Sequence, residues 1–271
     1  MEHKKFTPAF SMLELVFVII ILGIVASLGA EMIARVYDSY ILQRAEYRAT
    51  VKTELAATQI ANRLASAIPG TVYRIRTDDS YEVIDSDFPA GSTGDDYKGL
   101  KWVGSDTDSF AADDIPGWSG FCDVDAPSNT QNSLSTPGSA LDTTTTVINN
   151  LSNFAPAPMI YFPYDPMPYP ANIAGTTLNL TGAGAPHIVE HYKLAWTSYA
   201  LVVVGRDLYL YYDFSATPTA AYSSGRRSLL MKNISTFKFK GAGRTIRFKI
   251  CKEERISEDV NITACKEKAV F

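Results

Sequence analysis

The stretch FTPAFSMLELVFVIIILGIVASLGA, residues 6–30, decides how this chain is read. One carboxylate, Glu14, sits near the start of an apolar run that continues from Leu15 to Ala30 without a charge. At 1.5 Å per residue, Phe10–Ala30 is long enough to span about 30 Å of hydrocarbon. A charged group at that depth costs at least ~2.5–3.5 kcal/mol on insertion scales. A span with no task beyond anchoring would more cheaply carry Leu at this position.

Three readings of the segment compete. A secretory signal would use Lys4 and Lys5, the apolar stretch, and cleavage after Ala30. A plain signal anchor would stay uncut. A leader cut on the cytoplasmic side, before the apolar run, accounts for more of the residues. MEHKKFTPA is short, carries its basic residues before the cut, and closes on the small residue Ala9, with Phe10 next and Glu14 four residues further on.

This arrangement resembles the type IV pilin and type II secretion pseudopilin family. Matched residue by residue, the resemblance makes Ala9 the last leader residue and Phe10 the mature N-terminus. It implies a prepilin peptidase that cuts between them and methylates the Phe10 amine. Glu14 then occupies the fifth mature position, where its carboxylate pairs with the Phe10 amine of a neighbouring subunit. Removing one member of a desolvated pair costs about 3–5 kcal/mol, so such a pair sets axial register. The chain departs from the family in two places: Ala9 stands where Gly is common, and Glu31 stands where many members have Pro.

From Glu31 to Ile68 there is no Gly or Pro, and helix formers dominate. Ile60, Leu64 and Ile68 recur at helical spacing, as do Val51 and Leu55. Pro69-Gly70 ends the pattern. One helix from Phe10 to Ala67 is expected, apolar in its first half and packed on a head in its second.

The formal net charge of −4 hides an asymmetry. Residues 70–189 carry four basic and fifteen acidic groups, and residues 190–271 carry fourteen basic and eight acidic ones. In the acidic part, TVYRIR (71–76) and YEVI (81–84) read as pairing strands. The rest, rich in Asp, Gly, Ser, Thr and Pro, reads as loops with one helix or strand hidden among them. No cofactor is required. Asp85, Asp87, Asp95, Asp96, Asp106, Asp108, Asp113, Asp114, Asp123 and Asp125 offer oxygen ligands for calcium, although without EF-hand spacing.

From Tyr192 the pattern turns to strands: YKLAWTSYALVVV, DLYLYYDF, STFKFKG and RTIRFKIC. In the last two, Phe237, Phe239, Ile246, Phe248 and Ile250 alternate with Lys238, Lys240, Arg247 and Lys249. That predicts an antiparallel hairpin with one buried and one basic face. The order of elements here resembles the C-terminal sheet of J-type minor pseudopilins. If the body is exported, a Cys251–Cys265 disulfide closes a loop of about fifteen residues, worth ~3 kcal/mol in the chain-entropy model. The cysteine-bounded tail also resembles the disulfide loop that ends some pilins.

Other chemistry is weakly signalled. His187-Ile-Val-Glu190-His191 fits H-x-x-E-H, a zinc-protease pattern that needs one helix face. It follows a Gly/Ala/Pro turn and runs into strands, so no enzyme is expected. The basic hairpin face could meet phosphates, but its aromatics lie on the core side, which disfavours nucleic acid. Asp259-Val-Asn261-Ile-Thr263 fits an acid-extended glycosylation sequon, which makes Asn261 a candidate acceptor.

The expected fold is α+β and pilin-like. Residues 1–9 form the leader, 10–30 the transmembrane helix and 31–69 its amphipathic continuation. Residues 70–190 form an acidic, loop-rich part of the head, and 191–271 an antiparallel sheet with a disulfide loop. The resemblance implies a minor pseudopilin of a type II secretion system, with a minor type IV pilin for adhesion or DNA uptake as the alternative. It implies a single-pass inner-membrane protein with a cytoplasmic N-terminus and a periplasmic head. Its partners would be the prepilin peptidase, other pseudopilin or pilin subunits, and the inner-membrane assembly platform.

Overall fold

The computed structural model describes residues 11–84, 93–126, 130–154, 156–257 and 260–271. Helix α1 runs Met12–Ala65, about 81 Å at 1.5 Å per residue. Ser11 caps it, its hydroxyl accepting the Glu14 N–H. The helix ends at Ala65, two residues short of the expected Ala67, and the C-cap Ser66 turns back toward Leu64 O. Phe10 lies outside the described residues.

The head continues as β1 (Tyr73–Arg76), β2 (Tyr81–Val83) and β3 (Tyr97–Gly104). Next come α2 (Thr107–Phe110), β4 (Ser133–Ser135), α3 (Leu141–Leu151), β5 (Met159–Tyr161), β6 (Tyr169–Ala174), β7 (Thr177–Leu180) and β8 (Lys193–Ala195). The chain closes with β9 (Thr197–Val204), β10 (Asp207–Tyr212), β11 (Arg226–Met231), β12 (Ile234–Ala242), β13 (Thr245–Arg255) and β14 (Asn261–Val270).

These strands form three antiparallel sheets, in the orders β11-β10-β9-β3-β1-β2, β12-β13-β14 and β4-β7-β6-β5-β8. Together with the long apolar helix they give the α+β architecture. TVYRIR and YEVI pair as expected, Tyr73 opposite Val83. The predicted hairpin forms with Phe239 opposite Phe248 and Lys240 opposite Arg247. Phe237, Phe239, Ile246, Phe248 and Ile250 are all buried. They share one core with Trp102, Leu201 and Leu208 of the first sheet and with Ala56, Ala57, Ile60 and Leu64 of α1. Gly241 is required in this layer, because a Cβ there would collide with the Ile84 carbonyl.

The largest departure from expectation lies between β3 and β9. These strands are adjacent and antiparallel, Gly104 opposite Thr197, yet 92 residues separate them in the chain. The intervening segment is not loops with one hidden element. It holds the five-stranded sheet and a core of its own around Trp118, Leu134, Ile148, Ile160, Leu178 and Leu194. Its strands are three to six residues long, too short for their alternation to stand out in sequence. The run 192–204 is also divided: β8 joins the inserted sheet and β9 the first sheet, with Trp196 between them.

Candidate functional site

The feature that sets this molecule apart is the N-terminal part of α1, which stands clear of the head. Met12, Leu15, Phe17, Ile19, Ile21 and Val25 are all more than half exposed, and the first buried helix residue is Ala49. α1 is long and apolar enough to cross a membrane, and none of its most apolar window is buried in the head. Glu14 lies in its first turn, next to the Ser11 cap. Ala9 and Phe10, the proposed cleavage pair, lie outside the described residues.

Beyond the apolar run the helix has two faces. Ala49, Thr53, Ala56, Ala57, Ile60 and Leu64 dock on the head, and the small residues let strand β14 come close. At 100° per residue, Val36, Tyr40, Tyr47, Val51 and Leu55 fall on the opposite side. All five are exposed. The expected packing face is therefore confirmed at Ile60, Leu64 and Ile68. Val51 and Leu55, four apart like the others, point away from the head because their phase differs by about half a turn.

The docking side is clasped by charges not anticipated from the sequence. Lys266 Nζ and Lys268 Nζ lie 2.7 and 3.1 Å from the Glu54 carboxylate, and Lys268 also donates to Thr58 Oγ1 at 2.8 Å. The two lysines hold the Glu54 carboxyl below its usual range. Their i, i+2 spacing on one strand face was the available signal. Cys251 and Cys265 are bonded, joining register partners on β13 and β14. Asn261 is exposed at the start of β14, while Asp259 of its sequon lies outside the described residues.

The basic side of the β12–β13 hairpin faces outward. Lys249 is opposite Glu267 on β14, and Lys238 pairs with Asp95. Phe237 and Phe239 are turned into the core, away from that face.

Residues 187–191 form no helix, and His191 bridges Phe121, so the H-x-x-E-H residues share no helix face. Among the described residues no three His, Cys, Asp or Glu side chains stand close enough to hold a metal ion. Of the acidic series, Asp106 caps α2 and is buried, which pushes its carboxyl up. Asp95 and Asp96 belong to a short 3-10 turn, and Asp85 and Asp87 lie outside the described residues. Cys122 is buried in the inserted core.

Arg74, Lys101 and Lys252 are basic residues buried in the head. Lys101, on β3, is fully buried and donates to the carbonyls of Thr217, Pro218 and Ala220 at 3.2, 2.7 and 2.5 Å. Its ammonium lies 4.6 Å from the centre of the Tyr81 ring. Burial pushes its pKa down to about 7.

No protein-family model, curated protein or solved structure matches this chain.

Proposed function

We propose that this chain is a filament subunit processed by a prepilin peptidase, and specifically a minor pseudopilin of a type II secretion system. The observation that carries the reading is a carboxylate, Glu14, in the first turn of an apolar helix whose N-terminal half touches nothing in its own head. Such a helix is stable only in lipid or against other helices, because its apolar face has no internal partner. In lipid the carboxylate is costly by itself, and a neighbouring subunit's terminal amine offsets that cost.

The second half of the helix supports the same reading. It gives one face to the head and leaves Val36, Tyr40, Tyr47, Val51 and Leu55 for neighbouring helices. The inserted segment enlarges the head on one side and hinders uniform stacking, which favours a minor subunit over a major one. In this reading Ala9 and Phe10 are the cleavage pair, Phe10 carries the methyl group, and the head lies in the periplasm.

The test is mass spectrometry of the mature N-terminus from membranes, with and without active prepilin peptidase. N-methylated Phe10 is the expected terminus. A terminus at Glu31, or an intact Met1, overturns the reading. Deleting the gene and scoring protein export against DNA uptake then separates a secretion pseudopilin from a type IV pilin. Loss of export alone is expected.

A further inference from the structure

A cleft of about 450 Å³ opens at the seam between the two cores of the head. Five separate segments converge on it: the end of the α1 region (Ile68, Pro69), Gly120 between α2 and β4, the turn after β5 (Phe162, Pro163, Tyr164), the start of β8 and the residues before it (His191, Tyr192, Lys193), and Arg244 in the β12–β13 turn. Its size lies within the ordinary range for ligand pockets, and the seam between two packed units is where such pockets concentrate.

Three features set its chemistry. The walls are mainly apolar and aromatic. Two basic side chains, Lys193 and Arg244, line it, and no Asp or Glu does among the described residues. Within the same set, neither cation is ion-paired with a carboxylate. The third feature is Tyr164. Its φ is +66°, a left-handed conformation unfavourable for a bulky residue, and the residue is 93 % exposed. The Arg244 guanidinium stands 5.6 Å from the centre of that ring. Strained backbone of this kind concentrates at ligand clamps. Lys193 and Arg244, with Ile68 and Pro69, also line an adjoining hollow of about 280 Å³, so the two cations stand between two open spaces.

We infer that this cleft docks a peptide segment of a partner protein that presents an aromatic side chain beside a carboxylate. The ring stacks against the exposed Pro163 and Tyr164, over a floor formed by the buried Phe162, and the carboxylate meets Lys193 and Arg244. Arg244 favours a planar carboxylate that it can engage through two N–H groups. The inference concerns the head alone and stands apart from the processing of the N-terminus.

The test uses the full-length, 15N-labelled chain in detergent micelles, titrated with acetyl-Gly-Phe-Asp-Gly-amide. Two controls accompany it: the same peptide with Asn in place of Asp, and free 3-phenylpropionate. The expected result is saturable binding with a Kd on the order of millimolar, as suits a fragment of this size. Shifts should centre on the amides of Gly120, Lys193 and Arg244. The Asn peptide and the Arg244→Gln variant should each bind about tenfold more weakly, with the variant's remaining spectrum unchanged. Equal binding of the Asp and Asn peptides overturns the inference, as do shifts confined to other surfaces. Binding of 3-phenylpropionate without the peptide also overturns it, since the site would then serve a small acid. Should Arg244→Gln disturb the spectrum, Lys193→Gln reads the same question from the other cation.

Discussion

Glu54 on the long helix and Lys266 on the final strand meet at 2.7 Å, across a separation of 212 residues in sequence. Lys268 adds a second contact to the same carboxylate, so the last strand is tied to the helix just below the point where the buried face begins to carry large side chains. The lysines depress the Glu54 pKa, and the sign follows from that depression. The contribution is present above the ordinary carboxylate range and is lost as pH falls through the folded value. Glu54→Gln should therefore loosen β14 at neutral pH and leave acid stability nearly unchanged. Hydrogen exchange at residues 264–270 measures this, with faster exchange expected at pH 7 and a difference that shrinks as the pH falls through the folded carboxyl's range. The pair is exposed enough that added salt should narrow the gap.

The two helix faces give a sharper contrast. Ile60 is 1 % exposed in the main core, whereas Leu55, five residues earlier, is 58 % exposed. Ile60→Ala should cost about 2–5 kcal/mol by lost burial and cavity formation. Leu55→Ala should stay within roughly 0.5 kcal/mol of wild type. Urea unfolding of the head in detergent, followed by tryptophan fluorescence, checks both. A large effect at Leu55 would mean that the helix docks by its other side.

Lys101 makes a prediction with a pH dependence. Its folded pKa of about 7 lies below the ordinary 10.5, so between those values the unfolded chain holds a proton the folded chain has lost. Stability from this group accordingly rises with pH across that window. Lys101→Met removes the donor to three carbonyls and should destabilise the head by about 2–4 kcal/mol near neutrality. The gap between wild type and variant should widen from about pH 6 to about pH 9. Melting temperatures across that range decide it.

Reduction of Cys251–Cys265 should lower stability by about 3 kcal/mol, the loop-closure value for a link spanning this many residues. The ladder between β13 and β14, ten register pairs long, should persist after reduction. Denaturant midpoints with and without reductant, matched by Cys251→Ser/Cys265→Ser, measure the effect. Loss of the strand pairing itself would show that the bond creates the β14 position instead of securing it.

What the sequence disclosed followed the strength of its periodicity. The helix from residue 12 onward and the Phe/Lys hairpin carry long, regular patterns, and both stand where they were read. Glu14 was conspicuous because a charge in an apolar run has few reasons to be there. The inserted sheet was hidden for the opposite reason. Strands such as SLS and TLNL are too short to show alternation, and β4 and β7 find each other across more than forty residues. Lys101 reads as a surface residue on any alternation scheme, and only the carbonyls of the 217–220 loop, over a hundred residues away, explain its burial. Val51 and Leu55 show that four-residue spacing fixes a stripe but not which side of the helix the stripe occupies.

The placement of the insertion has a consequence for how the head can change over time. Its two ends, Gly104 and Thr197, already sit side by side as ladder partners. A short turn between them would complete the first sheet without moving any other strand. The segment is thus an insertion into a frame whose strand ladder closes without it, and it rests on that frame through Tyr161 and Ala195, which pack with Ile68, Val103 and Ala216. Its own core lets it be remodelled, enlarged or traded for another while the helix, its clasp and the sheet beneath stay fixed. Novelty in this protein has a place to accumulate, and the part that would assemble with neighbours is shielded from it.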